Sequence, residues 1–206
     1  MSELKTVLHV GCGPRNPAKL HETFRTPEWR EIRLDINEKV APDIIGSITD
    51  MHMVADASMD AVWSSHNLEH LYPHEVPRAL GEFSRVLKAD GFALITLPDL
   101  QRVAELIAED KLDEPAYQSP AGPITPLDIL YGLRKSLAAG NLYMAHRTGF
   151  TAKTLGKALI NAGFAQARLR RDDHFNLWAV GYKKAQPKPP AAPEVAEPSV
   201  DKITSA

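Results

Sequence analysis

The chain has 206 residues, a formal net charge of −2 and one cysteine, Cys12. That length accommodates one sizeable core but not two ordinary domains, and the near-neutral charge supplies no field that favours nucleic acid or an anionic membrane. A lone cysteine excludes an intramolecular disulfide, and no apolar run approaches the roughly 20 residues that span a bilayer. The expectation is a cytoplasmic protein without nucleic-acid or membrane partners, monomeric or homodimeric.

Residues 6–10 form an apolar run that predicts a first strand, and the run enters Gly11-Cys12-Gly13-Pro14. Residues 17–29 predict a helix or irregular helix, with Pro27 near its end. Residues 32–34 predict a second strand that ends in Asp35. Two glycines spaced by one residue, followed by an acid at the end of the next strand, are the layout of a nucleotide-type cofactor site on an open α/β sheet. Glycine lets backbone approach a ligand closely, and the acid accepts from ribose hydroxyls. A dinucleotide site needs a third glycine, where this chain has Asn16.

Ile44-Ile45 and residues 61–63 predict a third and a fourth strand. Residues 74–87 predict a helix, because Val76, Leu80, Phe83 and Leu87 line one face. Asp90-Gly91 reads as its end, with Gly91 in the left-handed conformation. Residues 92–97 are continuously apolar, as in a strand covered on both faces. Alternating strands and helices imply an α/β fold with a mostly parallel sheet.

Residues 99–144 mix helical patterns with a Pro/Gly-rich piece at 119–123. Thr151 is the expected N-cap of a helix carrying Leu155, Leu159 and Ile160, stopped by Gly163. Residues 167–170 and 175–182 predict a closing hairpin. Residues 185–206 are rich in proline, alanine and charge, and their composition predicts a disordered tail.

The order of these motifs resembles class I S-adenosylmethionine-dependent methyltransferases over about residues 6–183. The resemblance rests on LHVGCG (8–13), Asp35, GSITDM (46–51) with SMDAV (58–62), SHNLEHL (65–71), FSRVLKADGF (83–92), and Phe150-Thr151 through Ala162-Gly163-Phe164. It implies a Rossmann-like seven-stranded sheet with helices on both faces and the last strand antiparallel. The methyltransferase domain then covers residues 1–184, with 99–147 as a substrate-covering insert. S-adenosylmethionine is the implied cofactor and S-adenosylhomocysteine its product.

The cofactor contacts implied are Val10, Gly11, Cys12, Gly13, Asp35, Ile36, Asp50, Met51, Ser65 and His66. Cys12 reads as a small buried filler. Many family members carry an acid where this chain has Ser47, so Asp50 is a candidate adenine contact or, alternatively, a turn cap. The acceptor is expected to be a small molecule methylated on oxygen or nitrogen. The motifs of amino-methylating and cytosine-C5-methylating nucleic-acid enzymes do not occur in the sequence. His66 and His146 are candidate bases.

His66, Glu69, His70 and His146 also resemble the Glu-x-x-Glu-His metal pattern of ubiquinone-pathway and small-RNA methyltransferases, with histidine in place of the first glutamate. Metal-free relatives share Leu-Glu-His-Leu, so the primary expectation is no metal. Tyr117, Tyr131, Tyr143, Leu130, Leu133 and Met144 are candidate pocket walls, with Arg134 and Lys135 facing an anionic acceptor or solvent. A fold-retaining binding protein and an NAD(P)-dependent oxidoreductase are the alternatives.

Overall fold

The structure, a computed structural model, describes residues 4–186. The expected tail at 185–206 lies outside the described residues beyond Gln186.

A seven-stranded sheet holds β1 (Lys5–Val10), β2 (Trp29–Asp35), β3 (Ile44–Ile45), β4 (Met59–Ser65), β5 (Leu87–Pro98), β8 (Gln166–Arg171) and β9 (Asn176–Tyr182). Their order is β3-β2-β1-β4-β5-β9-β8. β1 to β5 are parallel, and β9 runs antiparallel to both β5 and β8. From β1 the chain steps outward to β2 and β3, then returns to β4 on the other side. The carboxyl ends of β1 and β4 therefore flank a point where strand order reverses, and loops splay apart there to leave a crevice.

One face of the sheet packs on α1 (Val76–Val86) and α5 (Ala152–Asn161). Leu80, Phe83, Leu155 and Leu159, all fully buried, lie in that core. α5 begins at the expected Thr151 capping box and ends at Gly163, whose φ is +92°. The opposite face packs on Leu20, Phe24 and Trp29, around Val7, Ala61, Trp63 and Leu94.

The helix expected over 17–29 is two 3-10 turns instead, Pro17–Lys19 and Glu22–Phe24. Leu20 and Phe24 stand four apart as on a helix, but side chains claim the carbonyls of residues 18–20. Arg25 donates to Leu20 O at 2.6 Å and to Ala18 O at 2.8 Å, and Trp63 Nε1 donates to Lys19 O at 2.9 Å. Those acceptors are then unavailable to a helical ladder.

Gly91 departs from expectation as well. α1 passes directly into β5 at Leu87, which is extended, and Gly91 does not take positive φ. Its glycine answers close packing: a Cβ there would lie 3.0 Å from Asp60 O and 3.1 Å from Lys88 O, where the β4–β5 register shifts.

Between β5 and α5 the chain forms α2 (Leu100–Ala108), a hairpin of β6 (Tyr117–Ser119) and β7 (Gly122–Ile124), α3 (Pro126–Tyr131) and α4 (Arg134–Ala138). Val103, Ile124, Ile129 and Phe175 form their core, with Tyr117, Leu130 and Leu133 packed against it. Arg134, half exposed, pairs with Asp128 and with Asp113, each at 3.0 Å.

Asp128 also closes the α3 capping box with Thr125. Burial opposes its charge, but Arg134 and Thr125 outweigh that and hold the carboxyl at about 2. A depressed carboxyl stabilises the fold above its unfolded value and loses that contribution as pH falls through the folded one. Asp128→Asn is expected to lower stability by about 1–2 kcal/mol at pH 7, the lower part of that range reflecting a half-exposed Arg134. In urea titrations across pH the gap to wild type should close between about pH 4 and pH 2.

Candidate active site

A cavity of about 1070 Å³ opens at the carboxyl ends of the central strands. Gly11 and Gly13, just past β1, both take left-handed backbone, with φ of +60° and +58°. A Cβ on Gly11 would fall 2.6 Å from Asn67 Nδ2, so Asn67 packs directly over it. Asp35 ends β2 with its carboxylate turned back onto this loop. Its Oδ2 accepts from Gly13 N–H at 2.7 Å and its Oδ1 from Asn37 N–H at 2.8 Å. The carboxylate thus fixes the glycine turn and keeps lone pairs for a ligand.

Of the expected cofactor contacts, Gly11, Cys12, Gly13, Asp35, Ile36, Ser65 and His66 line this cavity. Val10, Asp50 and Met51 do not. Val10 is wholly buried in the core. Asp50 turns to solvent and bonds His52 at 3.0 Å, and Met51 is buried with its N–H donating to Glu82. The wall there is Gly46, Ser47 and Ile48. Cys12 is 2% exposed, and burial pushes its thiol up, which fits an inert filler.

Four contributors escape a reading of the sequence. Arg33 is buried and donates to the carbonyls of Gly13 and Ala41, bracing the loop from beneath. Its only signal is a charge inside an apolar run. Lys19 brings its ammonium beside the loop, 2.6 Å from where a Gly13 Cβ would sit. Thr96 Oγ1 and Asn67 Nδ2, from two cavity-lining residues, are buried without hydrogen-bond partners among the described residues. Unpaired buried polar atoms at a crevice are what a polar ligand would satisfy.

Past β4, His66 takes φ of +48°, held by its N–H donating to Thr96 O at 2.8 Å. Strain in a non-glycine residue at a cleft costs about 1–3 kcal/mol and marks a position fixed by its surroundings. The 3-10 turn Leu68–His70 follows. His66 Nδ1 meets Glu69 Oε1 at 3.2 Å, and Glu69 is 1% exposed. Burial opposes charge on both groups. For His66, Glu69 and Asp172 outweigh it and raise the imidazole above its ordinary value; for Glu69, the hydrogen bond and charge of His66 hold the carboxyl below its own.

His146 joins this group from the far side of the insert, its ring centroid 5.0 Å from that of His70. Burial lowers its pKa, favouring the neutral ring. The structure thus gathers His66, Glu69, His70 and His146, of which His66 and His70 reach the cavity wall. Tyr143, Met144 and Arg147 complete that side, with His21, Trp63 and Trp178 opposite. Tyr131 is exposed and, like Tyr117, Leu130 and Leu133, does not line the cavity.

Residues 8–95 match the family described as methyltransferase domain, a span that holds the glycine loop, Asp35 and the Leu68–His70 turn. Over that span the chain is similar to methyltransferase domains. Solved structures share the fold. A SAM-dependent methyltransferase from Archaeoglobus fulgidus is 17% identical, with a TM-score of 0.54 over 87% of this chain and 86% of its own. An O-methyltransferase family protein from Burkholderia thailandensis is 13% identical, with a TM-score of 0.59 over 88% of this chain and 51% of its own. A 1,6-didemethyltoxoflavin-N1-methyltransferase from the same organism, with bound 1,6-didemethyltoxoflavin and S-adenosylhomocysteine, is 15% identical, with a TM-score of 0.51 over 88% and 72%. No curated protein matches the sequence.

The dinucleotide alternative loses its physical basis here. Among the described residues the glycine loop leads into the 3-10 turn Pro17–Lys19 and not directly into an α-helix whose N-terminus could receive a pyrophosphate. Among the described residues no helix is long and apolar enough to cross a membrane.

Proposed function

We propose that this protein is an S-adenosylmethionine-dependent methyltransferase that carries the cofactor's methyl group to an oxygen or nitrogen of a small-molecule acceptor. The observation that supports it is one continuous cavity running from Asp35 to His66, His70 and Tyr143. At about 1070 Å³ it sits at the top of the range of roughly 300–1,000 Å³ for small-molecule sites, room for the cofactor and a small acceptor together. In this reading Gly11 and Gly13 lie under the methionine portion and Asp35 accepts from the ribose hydroxyls. Lys19 faces the methionine carboxylate, and Gly46, Ser47 and Ile48 wall the adenine.

The acceptor lone pair attacks the methyl carbon in line. The carbon–sulfur bond breaks with its electron pair remaining on sulfur, which leaves neutral S-adenosylhomocysteine. The acceptor's proton departs to His66 or to water. Holding the acceptor atom about 3–3.5 Å from the methyl carbon supplies most of the acceleration, because the sulfonium is already activated. Tyr143 and Met144 on one side and Trp178 on the other would restrict its approach.

The test is a panel of small hydroxyl and amine compounds, read by S-adenosylhomocysteine release and by the mass of the methylated product. Turnover of at least one compound that falls on His66→Ala is the expected result. Cofactor binding without turnover across a broad panel would favour a fold-retaining binding protein.

A further inference from the structure

Beside the cavity, the insert returns onto the turn after β4 and brings Glu69, His70 and His146 together, each offering a ligand atom within 4.8 Å of the others. Backbone bonds hold the two segments in register. Arg147 N–H and Thr148 N–H both donate to Glu69 O, at 2.8 and 3.2 Å, and Arg147 Nη1 donates to His70 O at 2.9 Å. On the other side His146 N–H donates to Tyr131 O at 3.1 Å.

Each imidazole is oriented through one nitrogen. His146 Nδ1 lies 2.7 Å from Ile129 O, and His70 Nδ1 lies 3.2 Å from Ala145 O. A carbonyl only accepts, so both Nδ1 atoms carry hydrogen, and in the neutral rings both Nε2 atoms present lone pairs. Glu69 is held in the same manner: His66 engages Oε1, while Oε2 is fully buried and has no partner. A buried carboxylate oxygen without a donor is costly unless a cation meets it. One nitrogen of each imidazole and one Glu69 carboxylate oxygen lie within 4.8 Å of one another, while His70 Nδ1 and His146 Nδ1 are tied to backbone carbonyls and Glu69 Oε1 to His66. Metal-binding histidines are supported in this way.

We propose that Glu69, His70 and His146 hold a divalent transition-metal ion, with its open coordination positions toward the cavity that His70 lines. The donor set suits Zn²⁺, Mn²⁺, Co²⁺ or Ni²⁺ better than Mg²⁺ or Ca²⁺, which favour all-oxygen surroundings. Bonds of about 2.0–2.2 Å put neighbouring donors roughly 3–3.5 Å apart, so the three side chains close slightly around the ion. His66 is a positioning residue: it engages Glu69 Oε1 and leaves Oε2 free for the ion. Resting on the methyl-transfer reading, the ion selects an acceptor oxygen over nitrogen, since a bound hydroxyl acidifies and presents a lone pair. Its proton leaves to water as oxygen takes the methyl carbon and sulfur keeps the bonding pair.

The full-length protein, stripped by chelator and dialysed, is titrated with MnCl₂, ZnCl₂ and CoCl₂ by calorimetry, and with S-adenosylhomocysteine in parallel. One ion per chain, visible absorption bands with Co²⁺, and a raised melting temperature are expected. Glu69→Gln and His146→Gln should each weaken ion binding at least tenfold, while S-adenosylhomocysteine affinity stays within twofold of wild type. His66→Ala should weaken it less than either. The proposal is overturned if none of the three ions binds wild type at one per chain, or if binding persists in both glutamine variants. Normal S-adenosylhomocysteine binding in that event leaves the methyl-transfer reading standing.

Discussion

Asp35→Ala is expected to weaken S-adenosylhomocysteine binding by at least about tenfold, or about 1.4 kcal/mol. Two losses combine. The carboxylate lone pairs that would accept from ribose hydroxyls disappear, at about 1–3 kcal/mol for hydrogen bonds to a charged acceptor. Gly13 N–H and Asn37 N–H also lose their acceptor, at 2.7 and 2.8 Å, and the glycine loop loses the brace that shapes it. Asp35→Asn keeps one acceptor oxygen and should fall between the two. Calorimetry on folded variants reads the effect directly, and near-wild-type affinity in the alanine variant would remove Asp35 from the site.

Gly132→Ala is expected to be the most destabilising single-methyl change in the insert. Gly132 has φ of +97°, and an added Cβ would lie 2.0 Å from Met144 O. The obstacle is backbone, so it does not rotate away. Left-handed strain and forced overpacking together cost roughly 2–5 kcal/mol. The structure can relieve the clash only by moving the turn at Leu142–Met144, which carries Tyr143 and Met144 at the cavity and leads into His146. Urea denaturation should therefore show a large loss of stability, while S-adenosylhomocysteine affinity changes little because the ribose and methionine contacts proposed for it come from Gly11, Gly13 and Asp35 and not from this turn. A variant as stable as wild type would contradict the packing described for the insert.

These two positions differ in how readily they can be read from sequence. Gly11, Gly13 and Asp35 are legible because strand, turn and strand-end acid are local features with fixed spacing. Gly132 is not, since its partner is a carbonyl twelve residues away that only the folded insert brings near. The same distinction explains the segment after Gly13. Leu20 and Phe24 carry helical spacing, yet Trp63, a residue from β4, takes the Lys19 carbonyl and Arg25 takes its neighbours.

Asp50 and Met51 show the limit of reasoning by offset from a motif. The Ser47–Asp50 bridge closes a tight turn that points one side chain to solvent and the next into the core. The sequence offers His66 and His146 as bases and the group with Glu69 and His70 as a metal pattern, with no metal as the primary expectation. That Glu69 keeps a buried oxygen free, and that His70 and His146 each bond a carbonyl through Nδ1, follows from contacts across the insert.

A crystal structure of the full-length protein with S-adenosylhomocysteine tests the central claim most directly. The predicted result is one ligand in the cavity, its ribose hydroxyls within hydrogen-bond distance of Asp35, its methionine portion over Gly11 and Gly13, and its sulfur toward His66 and His70. A ligand bound elsewhere, or one whose ribose does not touch Asp35, would contradict it.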